Sequence, residues 1–138
     1  MMKRAWIAAF LCMAALAQEQ ASLKQLMLDM IHPASNDILL FVNRGDPKND
    51  AEWAVVRRSA LALQESGNLL MQRGRARDQR DWMKDAELLA NTGAAAYKAA
   101  QAKDLAALAA LTDWLDASCT SCHKQYRPNV FPREGGSK

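Results

Sequence analysis

The 138-residue sequence predicts an all-α fold, an antiparallel up-down-up-down four-helix bundle, and three observations carry that prediction. The composition is rich in Ala, Leu, Gln and Met, which lose little side-chain freedom in a helix, and poor in β-branched runs. Apolar residues recur three and four apart in four segments, and no stretch alternates apolar with polar as a half-buried strand would. The segments are joined by short connections, which fold each helix back along the one before it.

The first helical region runs from about Ala21 to Val42, with Leu23, Met27, Met30, Ala34, Ile38 and Phe41 on its inward stripe. Pro33 interrupts it and should kink or split the helix, because it lacks an amide proton and crowds the preceding turn. Asn43-Arg44-Gly45-Asp46-Pro47 is a turn by composition, and Asn49 or Asp50 can cap the second helix. That helix carries Trp53, Val56, Ala60, Leu63, Gly67 and Leu70 on one stripe. A linker from Gln72 to Arg80 follows, with Gly74 and four arginines; it reads as a solvated connector or as a patch that docks a partner.

The third helix spans about Asp81 to Lys103, with Trp82, Ala86, Leu89, Gly93, Ala96 and Ala100 facing inward. Asp104 caps a fourth that carries Leu108, Leu111, Leu115, Cys119, Cys122 and Tyr126. Pro128 and Pro132 end it, and residues 133–138 form a loose tail. Gly67 and Gly93 each cost their helix about 1 kcal/mol relative to Ala; either close helix contact or clearance for a flat cofactor would account for them.

The chain opens with Lys3-Arg4 and an apolar run from Ala5 to Ala17 that ends in Ala15-Leu16-Ala17. A basic start, a stretch too short to span a bilayer and small residues at the last and third-last positions describe a secretory signal peptide over residues 1–17. Residues 18–138, about 120 in number, then form one four-helix-bundle domain, expected in the periplasm without a stable membrane anchor. Cleavage removes two of the 18 basic residues and none of the 15 acidic ones. The near balance that remains does not suggest nucleic acid as a partner.

With Cys12 in the leader, the mature thiols are Cys119 and Cys122, and both lie in Cys119-Thr120-Ser121-Cys122-His123. This spacing reads as an attachment site for one covalent haem c: the thiols add to the two vinyl groups, and His123 is the proximal iron ligand. A thioredoxin-type disulfide should follow a strand, and a closed zinc site needs a second pair of ligands; the sequence offers neither. Neither a nucleophile motif nor a second histidine beside a carboxylate points to an enzyme.

From Cys119 to Arg127 the chain resembles the cytochrome c prime family, the class II c-type cytochromes, which carry this motif near the C-terminus of a four-helix chain. The resemblance implies that Arg127 lies near the haem on the proximal side, contacting a propionate or modifying His123; the residue also fits as an exposed arginine favoured by the helix dipole. It further implies that the first helix supplies the distal residue. Members with Met there are six-coordinate electron carriers, and members with Leu or Phe are five-coordinate and bind nitric oxide or carbon monoxide. Met27 is the leading candidate for a distal iron ligand, Met30 the second and His32 a weaker third, although a methionine stripe also serves as core filling.

Many members carry an arginine one turn before the distal residue; here Leu23 precedes Met27 and Leu26 precedes Met30. Pro33 is also not typical of them. The function expected is electron transfer through a His/Met-ligated haem to an unidentified redox partner protein. Gas binding at an open iron is the alternative, and the protein is either a monomer or a homodimer through its first two helices.

Overall fold

A computed structural model describes residues 20–129. The predicted leader 1–17 with Cys12, and Pro132 with the tail 133–138, lie outside the described residues. Within 20–129 every regular element is a helix, and four helical regions pack against each other. Helix α1 covers 23–44 as three continuous parts: an α-turn Leu23–Gln25, a π-helical segment Leu26–Ile31 and an α-helix His32–Arg44. The others are α2 (Asp50–Leu70), α3 (Asp81–Gln101), the short α4 (Leu105–Ala109) and α5 (Thr112–Tyr126).

Side chains near the starts of the helices satisfy their open amides. Ser22 and Gln25 form a reciprocal capping box at the start of α1, with bonds of 3.2 and 2.8 Å. Asn49 accepts from the Glu52 amide at 3.1 Å and caps α2, and Asp104 accepts from the Ala107 amide at 2.9 Å and caps α4. Ahead of α3, Asp78 accepts from the amides of Arg80 and Trp82 at 2.8 and 3.2 Å. Gly45 closes α1 in the left-handed region at φ 72°, where glycine carries no steric penalty.

The expected stripes of α2 and α3 are buried throughout, from Trp53 to Leu70 and from Trp82 to Ala100. Both helix glycines lie where these two helices touch. A Cβ on Gly67 would stand 2.6 Å from the Ala90 amide nitrogen, and one on Gly93 would stand 2.4 Å from that of Gln64. Close backbone approach between α2 and α3 therefore accounts for both, and clearance for a cofactor plane is not needed.

Two expectations need correction. Of the kink or split expected at Pro33, the split does not occur; the helix widens ahead of the proline into the π-helical segment, where the His32 amide reaches five residues back to the Met27 carbonyl. A proline ring crowds the carbonyl four residues earlier, and a π turn relieves that crowding. The wider turn shifts the inward face to Leu26 and Ile31, five apart and both buried, and leaves Leu23, Met27 and Met30 on its half-buried flanks.

The expected single fourth helix is broken at Ala110-Leu111 into α4 and α5. There the Leu111 amide bonds only three residues back, to Leu108 at 3.1 Å, and the Thr112 hydroxyl takes the Ala109 carbonyl at 2.8 Å. Both contacts tighten the turn beyond α-helical geometry.

Candidate cofactor site

Helix α5 presents Cys119, Cys122 and His123 within little more than one turn, all three half-buried. Burial pushes both thiols up, Cys122 to about 11, with Asp85 the next cause there. Burial also holds the His123 imidazole below its ordinary 6.5, helped by the Arg127 charge. At neutral pH the site therefore presents two thiols and a neutral imidazole, the state in which a histidine binds metal. Nucleophilic redox cysteines have lowered values and sit at helix N-termini; these two are raised and lie in the interior of α5.

Three adjoining cavities surround these groups, and Met27 and His123 are walls of all three. The innermost, about 40 Å³, lies against Trp82, Asp85 and Leu89 of α3 and is closed on the α5 side by Cys119 and Cys122. A second, about 210 Å³, adds Cys122 and Tyr126 and is rimmed by Lys24, Arg77 and Arg127. The third, about 350 Å³ and almost wholly apolar, adds Cys119, Leu28 and Ile31, with His32 and Ser35 farther along α1. Leu28 and Arg127 on its walls are exposed, so this cavity opens to the surface.

Met27 and His123 thus come from the two ends of the chain to one site, whereas Met30 lines none of these three cavities. His32 is exposed, 3.4 Å from the Asn36 side chain, at the far end of the largest one. Arg127 caps α5, its amide bonded to the His123 carbonyl at 2.8 Å, and its side chain borders two of the cavities beside His123.

The 71–80 linker is more than a solvated connector. Arg75 donates to the Ala21 carbonyl at 3.1 Å, and Asp78 accepts from the Tyr126 hydroxyl of α5. The Trp82 indole donates to the Leu70 carbonyl at 2.7 Å, across the two ends of the linker.

Sequence reasoning missed Asp85, which is 7% exposed and lines the innermost cavity. Its signal was present, since it falls between Trp82 and Leu89 on the inward stripe of α3. The Asp78–Tyr126 contact had no sequence signal, because 48 residues separate the two.

Among the described residues no three His, Cys, Asp or Glu side chains converge to hold a metal ion, so a closed zinc site is not assembled there. No helix of the described residues is long and apolar enough to cross a membrane. No protein-family model, no curated protein and no solved structure matches the chain.

Proposed function

We propose that the chain is an exported c-type cytochrome of the cytochrome c prime kind, an antiparallel four-helix bundle that carries electrons through one covalent haem. The observation that carries this reading is that Met27 walls every cavity that His123 walls, with Cys119 and Cys122 beside them. The residues present fit the group: two unpaired thiols for thioether bonds, a neutral imidazole, a thioether sulfur from another helix, and largely apolar walls for a macrocycle.

Bound haem supplies a one-electron ferric/ferrous couple. Cys119 and Cys122 would hold it covalently in both oxidation states, and His123 would bind its iron. Met27 would offer a second iron ligand, a soft donor that favours the ferrous state. The largely apolar walls would limit water beside the bound group. The opening beside Leu28 and Arg127 brings the site within reach of a redox partner, and Arg127 is suited to pair with a propionate. The chain acts as a carrier rather than an enzyme, in the periplasm after cleavage at residue 17.

The test is the optical spectrum of the protein exported from a host that matures c-type haem. Colour should persist through denaturation, with sharp, intense reduced bands and slow carbon monoxide binding. Exchange of Met27 for Ala should convert the spectrum to high spin. A high-spin wild-type protein that takes up carbon monoxide at once would favour the gas-binding alternative, and a colourless protein would overturn both.

A further inference from the structure

Asp85 is a carboxyl inside an apolar cavity with no assigned role. It is 7% exposed, its Oδ2 has no hydrogen-bond partner, and it shares the innermost cavity with Cys119 and Cys122. A carboxylate removed from water without full hydrogen bonding is costly, so burial favours the neutral acid.

The groups that reach Asp85 come from several elements. Asp78 of the linker and Asp81 of α3 also oppose its charge, and Lys84 of α3 favours it. From α5 the Ser121 hydroxyl favours the charged carboxylate, and Cys122 lies within its field. The neutral His123 borders the same cavity, and the walls contributed by α1 and α2, Met27, Ile31 and Leu70, carry no charge. These influences leave the carboxyl raised from its ordinary 3.8, with desolvation the largest cause. A positive charge gained nearby is the one change that would favour the anion.

We propose that Asp85 takes up one proton from solvent when the cofactor held beside it by Cys119 and Cys122 receives one electron, and returns it on oxidation. The electron comes from a one-electron donor, a partner protein or an electrode. Ferric iron with the Asp85 carboxylate becomes ferrous iron with the Asp85 acid, so the buried charge is the same before and after. A lone pair on Asp85 forms the new O–H bond as an O–H bond of solvent hydronium breaks and leaves water. The inference rests on the covalent-haem reading above.

The experiment measures the midpoint potential of the haem-loaded protein against pH by spectroelectrochemistry, after denaturation has shown that the haem is covalent. The wild-type potential should fall as pH rises through a window above the ordinary aspartate value of 3.8, by up to about 59 mV for each tenfold fall in proton concentration. Asp85→Asn should lose that slope while keeping its haem. Ser121→Ala, which removes the hydroxyl that favours the anion, should move the window to higher pH, a shift that a merely structural role would not give. An Asp85→Asn protein with the wild-type slope would overturn the role of Asp85 and leave the cytochrome reading standing. A protein without covalent haem would overturn both.

Discussion

Gly93 shows how much one missing methyl group decides. An added Cβ would stand 2.4 Å from the Gln64 amide nitrogen and 2.9 Å from the Ala60 carbonyl oxygen, and backbone cannot swing aside as a side chain can. Gly93→Ala gains about 1 kcal/mol of helix propensity, yet the clash should outweigh it. The expected outcome is a net loss of about 2 kcal/mol, read as a lower urea midpoint. Met30 supplies the complementary test at the same scale. It packs half-buried against the core and lines none of the three cavities around His123. Met30→Leu should therefore leave the spectrum of the loaded protein unchanged, and a high-spin spectrum would transfer the distal role from Met27 to Met30.

At the scale of the element, the π-helical segment sets which residue of α1 meets His123. A π turn absorbs one extra residue, and one residue of α-helix is about 100° of rotation. Pro33→Ala removes the ring that crowds the preceding turn and should let residues 26–31 return to α-helical geometry. Met27 would then rotate off the shared cavities, and the loaded variant should show a high-spin fraction that the wild type lacks. A wild-type spectrum in Pro33→Ala would show that packing of Leu26 and Ile31 holds the segment without the proline. Tyr126 plays a comparable part in α5, donating to Asp78 and packing edge-on against Trp82 at 5.0 Å between ring centroids. That hydrogen bond lowers Asp78, and burial together with Asp78 raises Tyr126. Tyr126→Phe should keep the ring contact and release the linker, giving faster amide exchange over residues 71–80 with little change in α5.

For the whole molecule, the buried site predicts how the stability of the cofactor-free chain changes with pH. His123 is lowered below 6.5, so the unfolded chain binds the extra proton first and stability is lost as pH falls from 6.5 toward the folded value. Cys119 and Cys122 are raised above 9.0, so the unfolded thiols ionise first and stability is lost as pH rises past 9.0. Asp85, raised above 3.8, subtracts stability as pH climbs from 3.8 to its folded value and adds a constant penalty beyond. Urea titrations of the cofactor-free chain should therefore show losses on both flanks of the 6.5 to 9.0 interval. In the haem-loaded protein of the proposal the thiols would be thioethers and the imidazole ligated, so the loss that begins at 9.0 should vanish, the loss from the raised Tyr126 should remain above 10.0, and the acid flank should move lower. An unchanged alkaline flank in the loaded protein would mean that the thiols are still free.

Local sequence was enough to establish the all-helical class, the stripes of α2 and α3 and the Asp104 cap, and to narrow the α2 cap to Asn49 or Asp50, because each depends on residues within one or two turns. The same holds for the grouping of Cys119, Cys122 and His123, whose five-residue spacing fixes their proximity on any helix. Tertiary structure decided the rest. It showed that the two helix glycines answer to a neighbouring backbone, that a π turn moves the buried face of α1 to Leu26 and Ile31, and that Met27 rather than Met30 shares cavities with His123. It also revealed Asp85 as a buried carboxyl, its Oδ2 without a hydrogen-bond partner, in the cavity of the two thiols. Each of these depends on atoms far apart in the chain, where the free energy of a position is set by what packs against it and not by its neighbours in sequence.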